Sequence, residues 1–481
     1  MSDGATRLTR RAVGMAGRLV RGLRRLEAAT RPHSRELEHH LAERWAELPA
    51  RARHSAQTLG RRGTGCEATH GVFPSCDFAC TPCYHGRDAN RVPIDGGHTV
   101  READRQMAFA RARRGSGQNA QLIGGEVSLL PPDDHAAVLK AMQRHSFKVM
   151  SFSHGDFTYD YLRRLALGPD GTPRFRSLIF AGHFDSLMFG RQGIPIPDDE
   201  RQLNPFRARF VAKFRRLRAE HGVDFYLAHN MTVTPRNLDQ IPSVLASCGQ
   251  LGFRMFSFQP AAFQGNSARW KENYRAMSVD DVWSRIERGV GARVPYRLFQ
   301  TGDERCNRAA YGGFVGDRWV PLLDDRDPRD LRMRDAFFRT LKGMDVQVGP
   351  AQLGARMSRA LARHPAAVPL LAGWLPRFVR RAGLRNLLRD RFLAVTLVMH
   401  RFMDQEDVAE AWGLMERGKT ASDPRIKETQ ERLAACSYQF PHPDTGRLVP
   451  GCAQHAVYDP AENAALAREL QRAPEAHRAS P

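Results

Sequence analysis

Lysine is almost missing from this chain of 481 residues: seven of its 73 cations are lysine and the rest arginine. A net charge of +21 carried this way reads as a generally arginine-decorated surface. Binding nucleic acid through those arginines is the minor alternative. Long apolar runs are missing too. The longest, AAVPLLAGWLP (366–376) and FLAVTLVMH (392–400), fall short of the roughly 18 residues that a membrane span needs, so no crossing helix is expected. The N-terminus has positive charge but neither a continuous apolar core nor a small-residue cleavage site, so a cytoplasmic location is expected. With 42% hydrophobic and 26% charged residues, intrinsic disorder is excluded and a packed core is expected.

Residues 7–31 form a basic amphipathic pattern, with Leu8, Ala12, Met15, Leu19, Leu23 and Leu26 at helical spacing. Such a helix packs on its own protein or lies on an anionic membrane surface. A second helix runs from Ser34, a predicted N-cap, to Arg53. Between residues 118 and 265 short apolar runs alternate with amphipathic stretches. Strands are predicted at 120–125, 147–153, 177–182, 224–230 and 253–259, and another at GVFPS (71–75) before the cysteine cluster. About six β–α units imply an α/β fold, a partial parallel (β/α)6 barrel. The expected organisation is a basic helical segment (1–62), the barrel (63–290), a post-barrel segment with Cys306 (291–345), an amphipathic helical region (346–404) and a C-terminal segment with Cys436 and Cys452 (405–481). Parallel strands present functional groups at their C-terminal edge, which singles out His154, His183, Asp185, Asn230, Thr232 and Gln259.

Of eight cysteines, four crowd into residues 66–83, a pattern expected of metal ligands rather than disulfides. Cys76, Cys80 and Cys83 have the spacing C-x3-C-x2-C on a loop. Three thiolates this close can hold three irons of a [4Fe-4S] cubane and leave the fourth open to a substrate or cofactor. Zinc is the alternative, with His70 and His85 as added ligands. Cys248, in an apolar helical stretch, is expected in the core.

The triad, followed about forty residues later by Gly124-Gly125-Glu126 after the strand QLI, resembles the radical S-adenosylmethionine (SAM) enzymes. The resemblance implies a [4Fe-4S] cluster on Cys76, Cys80 and Cys83 whose open iron is chelated by SAM. It also implies reductive cleavage to a 5′-deoxyadenosyl radical and hydrogen abstraction from an unactivated C–H bond. Gly124, Gly125, Glu126, Tyr84, Asn230 and Gln259 are the implied cofactor contacts, and ferredoxin or flavodoxin the implied type of reductant. Pro82 stands where many members carry an aromatic residue, with Tyr84 following Cys83.

Three further islands resemble the tetraether lipid synthases and their bacterial relatives: FSFQPAAFQG (256–265), Asp303-Glu304-Arg305-Cys306-Asn307, and Phe402-Met403-Asp404 with the G-R-L-x-P-x-C pattern ending at Cys452. That likeness implies a lipid substrate and peripheral membrane contact. Several cysteines of that family are missing, Tyr296 standing near one such position. Cys66, Cys306, Cys436 and Cys452 remain as the ligand set of a second cluster, with isolated buried thiols as the alternative. Competing functions are a methyltransferase or peptide-modifying enzyme on the same barrel, and a non-catalytic Fe–S or zinc protein that binds nucleic acid.

Overall fold

The computed structural model describes residues 33–86, 88–115, 119–145, 147–340 and 350–472. The basic pattern at 7–31 lies outside them. The predicted Ser34 cap accepts a hydrogen bond from the Leu37 amide and starts the helix Arg35–Glu47.

Among the described residues thirteen strands follow in chain order: β1 Cys66–Ala68, β2 Ala79–Cys80, β3 Asn119–Leu122, β4 Lys148–Ser153, β5 Ser177–His183, β6 Met188–Phe189, β7 Asp224–Val233, β8 Met255–Pro260, β9 Asn307–Val315, β10 Arg318–Pro321, β11 Phe392–His400, β12 Tyr438–His442 and β13 Arg447–Pro450. Eleven form one curled sheet in the order β10-β9-β11-β8-β7-β5-β4-β3-β1-β12-β13. From β12 through β11 every neighbouring pair is parallel. Helices Gly96–Arg114, Pro132–Arg144, Tyr159–Ala166, Asn204–His221 and Ile241–Leu251 make the successive crossovers from β1 to β8. Their ends follow local chemistry: Asp95 and Thr158 cap N-termini through their side chains, and Gly222 and Gly252 close C-termini at φ of 70° and 89°, which only glycine adopts readily. Among the described residues no helix is long and apolar enough to cross a membrane.

Strand parity decides what the sheet offers to each side. On β7, Leu227, His229, Met231 and Val233 are buried, while Tyr226, Ala228, Asn230 and Thr232 line a central cavity. The same alternation places Met255, Ser257 and Gln259 of β8 on the cavity and buries Phe256 and Phe258. Cys248 is fully buried in the core.

Two expectations are corrected. No strand forms at 71–75; the first strand is β1, so Cys66 is a strand residue. Pro74 has no amide to give a ladder, and this stretch spends its carbonyls elsewhere: Phe73 accepts from the Gly125 amide at 2.7 Å and Ser75 from the Glu126 amide at 2.9 Å. The stretch FLAVTLVMH, expected inside a helical region at 346–404, is β11, paired with β8 on one edge and β9 on the other. Val395, Leu397 and Met399 are buried while Thr396, Val398 and His400 face the cavity, and a strand whose cavity face is also largely apolar reads as a continuous apolar run that resembles a core helix segment. The helices Pro350–Arg363, Val368–Ala382 and Leu384–Arg389 precede it.

Candidate functional site

A cavity of about 450 Å³ is lined by Cys76, Cys80 and Cys83, by Gly124, Gly125 and Glu126, and by alternate residues of the sheet. The cysteine loop is pinned from several directions. Cys80 pairs with Met188 through the short ladder between β2 and β6. The Cys76 amide donates to Asn90 Oδ1 at 3.0 Å, and the Phe78 amide donates to Cys76 Sγ at 3.4 Å. Next to it, His154 Nε2 donates to Asp77 Oδ1 at 2.9 Å, while its ring stacks on Phe78 at 3.9 Å. His154 Nδ1 accepts the Asp156 amide at 3.1 Å, which fixes the tautomer.

The glycine motif is fastened to the same loop. A Cβ on Gly125 would lie 1.9 Å from the Ser75 carbonyl oxygen, and one on Gly124 2.7 Å from that of Phe73. The close approach that requires glycine here is thus between two stretches of chain, as well as facing the cavity. His85 donates to the Gly124 carbonyl.

Glu126 is 2% exposed and heavily hydrogen-bonded. Its Oε1 accepts from the Ser128 amide (2.9 Å), Ser128 Oγ (2.6 Å) and Ser153 Oγ (2.8 Å), and its Oε2 from the His154 amide (2.8 Å). Each carboxylate oxygen has about two acceptor positions, and Oε2 uses one, so it retains capacity for one more donor.

Burial pushes all three triad thiols up, Cys76 to about 12, with Glu126 and Cys83 adding to it. Thiols held this way ionise when a cation joins them. None of the cysteines is in a disulfide. The donor set of three neighbouring thiols on one cavity wall fits a cluster with an open position.

The strand-end groups named from the sequence all line this cavity: His154, His183, Asp185, Asn230, Thr232 and Gln259. Asp185 accepts from His183 Nε2 (2.8 Å) and the Thr232 amide (2.9 Å), so these three already satisfy one another. Asn230 differs: its Oδ1 is buried without a partner. Tyr84 is wedged between His85 and His455, with ring centroids 4.7 and 4.4 Å away.

Cys66, Cys306, Cys436 and Cys452 are the remaining cysteines of the expected second ligand set. Burial pushes the Cys436 and Cys452 thiols up, Cys306 adding to both and Cys436 to Cys452, and Arg432 Nε donates to Cys306 Sγ at 3.1 Å. The Met403 amide donates to Cys452 Sγ at 3.4 Å. Cys66 lines the main cavity and bonds Gln121, and its amide donates to the carbonyl of Ser437, the residue after Cys436, at 2.7 Å. His70, weighed with His85 as a zinc ligand, points away toward the C-terminal segment. Tyr296 packs on Trp283 under the Arg308 guanidinium.

The chain matches no protein-family model and no curated protein. Among solved structures, SuiB of Streptococcus suis bound to precursor peptide SuiA is 13% identical at a TM-score of 0.33, covering 48% of this chain and 46% of that one. SuiB bound to S-adenosylmethionine has 13% identity and a TM-score of 0.32, covering 47% of each chain. Native anSMEcpe with bound AdoMet and Cp18Cys peptide has 13% identity and a TM-score of 0.31, covering 46% and 57%. The chain spans about half the length of these structures, and a likeness this faint assigns no chemistry.

Other residues complete the site, some of them, such as Arg269, Thr396, Val398 and His400, not singled out from the sequence. Arg269 bonds Cys83, and Gly265, at φ 73°, packs on the Cys83–Tyr84 backbone. Asn307, Tyr311, Thr396, Val398 and His400 reach the cavity only because β9 and β11 extend the sheet past β8. Parity along a recognised strand would have found the last three; a strand read as helix hides them.

Proposed function

We propose that this chain is a radical SAM enzyme that holds a [4Fe-4S] cluster on Cys76, Cys80 and Cys83 and acts on an unactivated C–H bond. The observation carrying this reading is the fastening of Gly124-Gly125-Glu126 to the loop that leads into the triad, two motifs far apart in sequence on one cavity wall. When bound, the cluster and SAM supply one-electron cleavage and a radical able to abstract hydrogen. The chain's own part is positioning. Glu126 Oε2 has room for the methionine ammonium, and the unpartnered Asn230 Oδ1 and Gln259 are the polar groups left for the rest of SAM or the substrate. Phe152, Met255 and Val398 line the wall and limit water near the reacting centre. One-electron chemistry requires a reductant of the ferredoxin or flavodoxin type.

For the substrate class, a lipid is favoured by the surface next to the extended sheet. Leu375, Leu384 and Leu388 are 53%, 60% and 79% exposed among arginines on the helices before β11. Cosedimentation with anionic vesicles is expected, and none would favour a soluble or peptide substrate. Cys306, Cys436 and Cys452, with Arg432 beside them, form the second ligand set, holding an auxiliary cluster with one open iron.

Iron and sulfide counts on anaerobically purified protein test both parts. Replacing the triad with alanine should remove four irons and abolish the SAM-dependent change in the electron paramagnetic resonance spectrum. Survival of that change would overturn the reading. Replacing Cys306, Cys436 and Cys452 should remove the auxiliary irons and leave the SAM response.

A further inference from the structure

His70, at the end of the first barrel strand, His442, at the end of β12, and Glu462, one turn into the helix Asp459–Arg472, meet outside the cavity. Their ligand atoms lie within 4.8 Å of one another, and among the described residues no other trio of histidine, cysteine or acidic side chains is so close. His70 and His442 stack with ring centroids 4.0 Å apart.

The hydrogen bonds fix both tautomers. His70 Nε2 lies 2.8 Å from the Pro441 carbonyl oxygen, which can only accept, so Nε2 carries the hydrogen. His442 Nε2 lies 2.6 Å from Gln454 Oε1. The orientation of that amide is settled by its nitrogen, which donates to Asp459 Oδ1 at 2.8 Å and Glu462 Oε2 at 2.9 Å, both acceptors. Each neutral ring therefore turns its Nδ1 lone pair toward Glu462: His70 Nδ1 is 2.8 Å from Oε2 and His442 Nδ1 3.5 Å from Oε1. A proton on His70 Nδ1 makes an ion pair with Oε2 at 2.8 Å but leaves His442 Nδ1, 3.5 Å from Oε1, without a donor, whereas a metal ion among the three would meet both nitrogens and the carboxylate. A single proton on one ring leaves the other Nδ1 facing an anion, and two protons would stack two cations face to face.

We propose that His70, His442 and Glu462 bind a divalent metal ion, zinc by the chemistry of the ligand set, that clips the C-terminal helix to β1 and β12. Two imidazole nitrogens and a carboxylate are a common zinc set, and the second hydrogen bond that orients each imidazole is already present. Three protein ligands leave one position for water, and Glu462, 26% exposed, stands on the solvent side. The site is separate from the cysteine cavity and does not depend on the enzymatic reading. It also gives His70 a role that pairing it with His85 does not.

Full-length protein, with its iron sites reconstituted anaerobically, should be incubated with zinc chloride, desalted and assayed for zinc by mass spectrometry and X-ray absorption. One zinc per chain is expected, with nitrogen and oxygen neighbours at about 2.0–2.2 Å and no sulfur at about 2.3 Å. His442→Gln and Glu462→Gln, which keep side-chain bulk, should each lose that zinc while iron content is unchanged. Zinc should raise the melting temperature of the parent protein and of neither variant. Removing the orienting amide with Gln454→Ala should weaken zinc binding by about 10- to 100-fold. Absence of zinc, a sulfur-only coordination sphere, or zinc retained in both ligand variants would overturn the site.

Discussion

Gly125 is bound by a constraint that no rotamer relieves, because a Cβ there meets the Ser75 carbonyl oxygen at 1.9 Å. Gly125→Ala must push the glycine motif off the cysteine loop, and loss of both SAM binding and cluster retention is expected, read as iron content and equilibrium dialysis of SAM. Glu126→Gln separates the two effects. It keeps the shape but removes the charge that would meet an ammonium, a charge-assisted hydrogen bond worth about 1.5–3 kcal/mol. SAM affinity should fall by roughly one to two orders of magnitude with iron near normal. Iron loss instead would mean that the four donors around Glu126 hold the loop in place, and unchanged affinity would remove it from the cofactor contacts.

At the scale of elements, the turn after β5 is locked to the crossover helix Asn204–His221 by one buried ion pair. Glu200 Oε2 and Arg207 Nη2 are 2.5 Å apart and both side chains are fully buried. Glu200 Oε1 also accepts the Ser186 amide at 2.7 Å and Asn237 Nδ2 at 3.3 Å, and Arg207 donates to the Phe184 carbonyl at 3.2 Å. This turn carries Asp185 and Met188, which back the triad loop. Glu200→Ala strands a guanidinium out of water and should cost about 3–5 kcal/mol in denaturant unfolding. Replacing both partners with apolar residues should cost less than Glu200→Ala alone. A double-variant loss equal to the sum of the two single-variant losses would show that the pair is not coupled.

For the whole molecule, acid stability depends on histidines buried in neutral form. His135 sits between Tyr161 Oη (3.0 Å) and Ser151 Oγ (2.9 Å), and burial drives its pKa down to about 3; His229 is depressed by burial and by Arg207 beside it. A histidine whose folded pKa lies below its unfolded value near 6.5 favours folding above that value, and its contribution is lost as pH falls toward the folded pKa. Stability should therefore decline between about pH 6.5 and pH 3, by about 1.4 kcal/mol for each unit of depression. His135→Gln should flatten that decline in thermal melts run across the range. An unchanged slope would place the acid sensitivity elsewhere.

What the sequence determined by itself was local: the cap at Ser34, the alternating strands and crossovers from β3 to β8, the C-x3-C-x2-C spacing, and the strand-end groups that parity turns into the cavity. Each of these is a short-range pattern of period, spacing or turn chemistry. Only the tertiary structure decided that β11 and β12 extend the parallel sheet on opposite edges, since pairing with distant partners leaves no period in the strand itself. It alone set His85 on the Gly124 carbonyl and His70 on Glu462. A ligand set assembled from β1, β12 and the last helix exists only once the sheet has brought chain segments nearly 400 residues apart to one edge, because proximity across such distances is a property of packing and not of spacing along the chain.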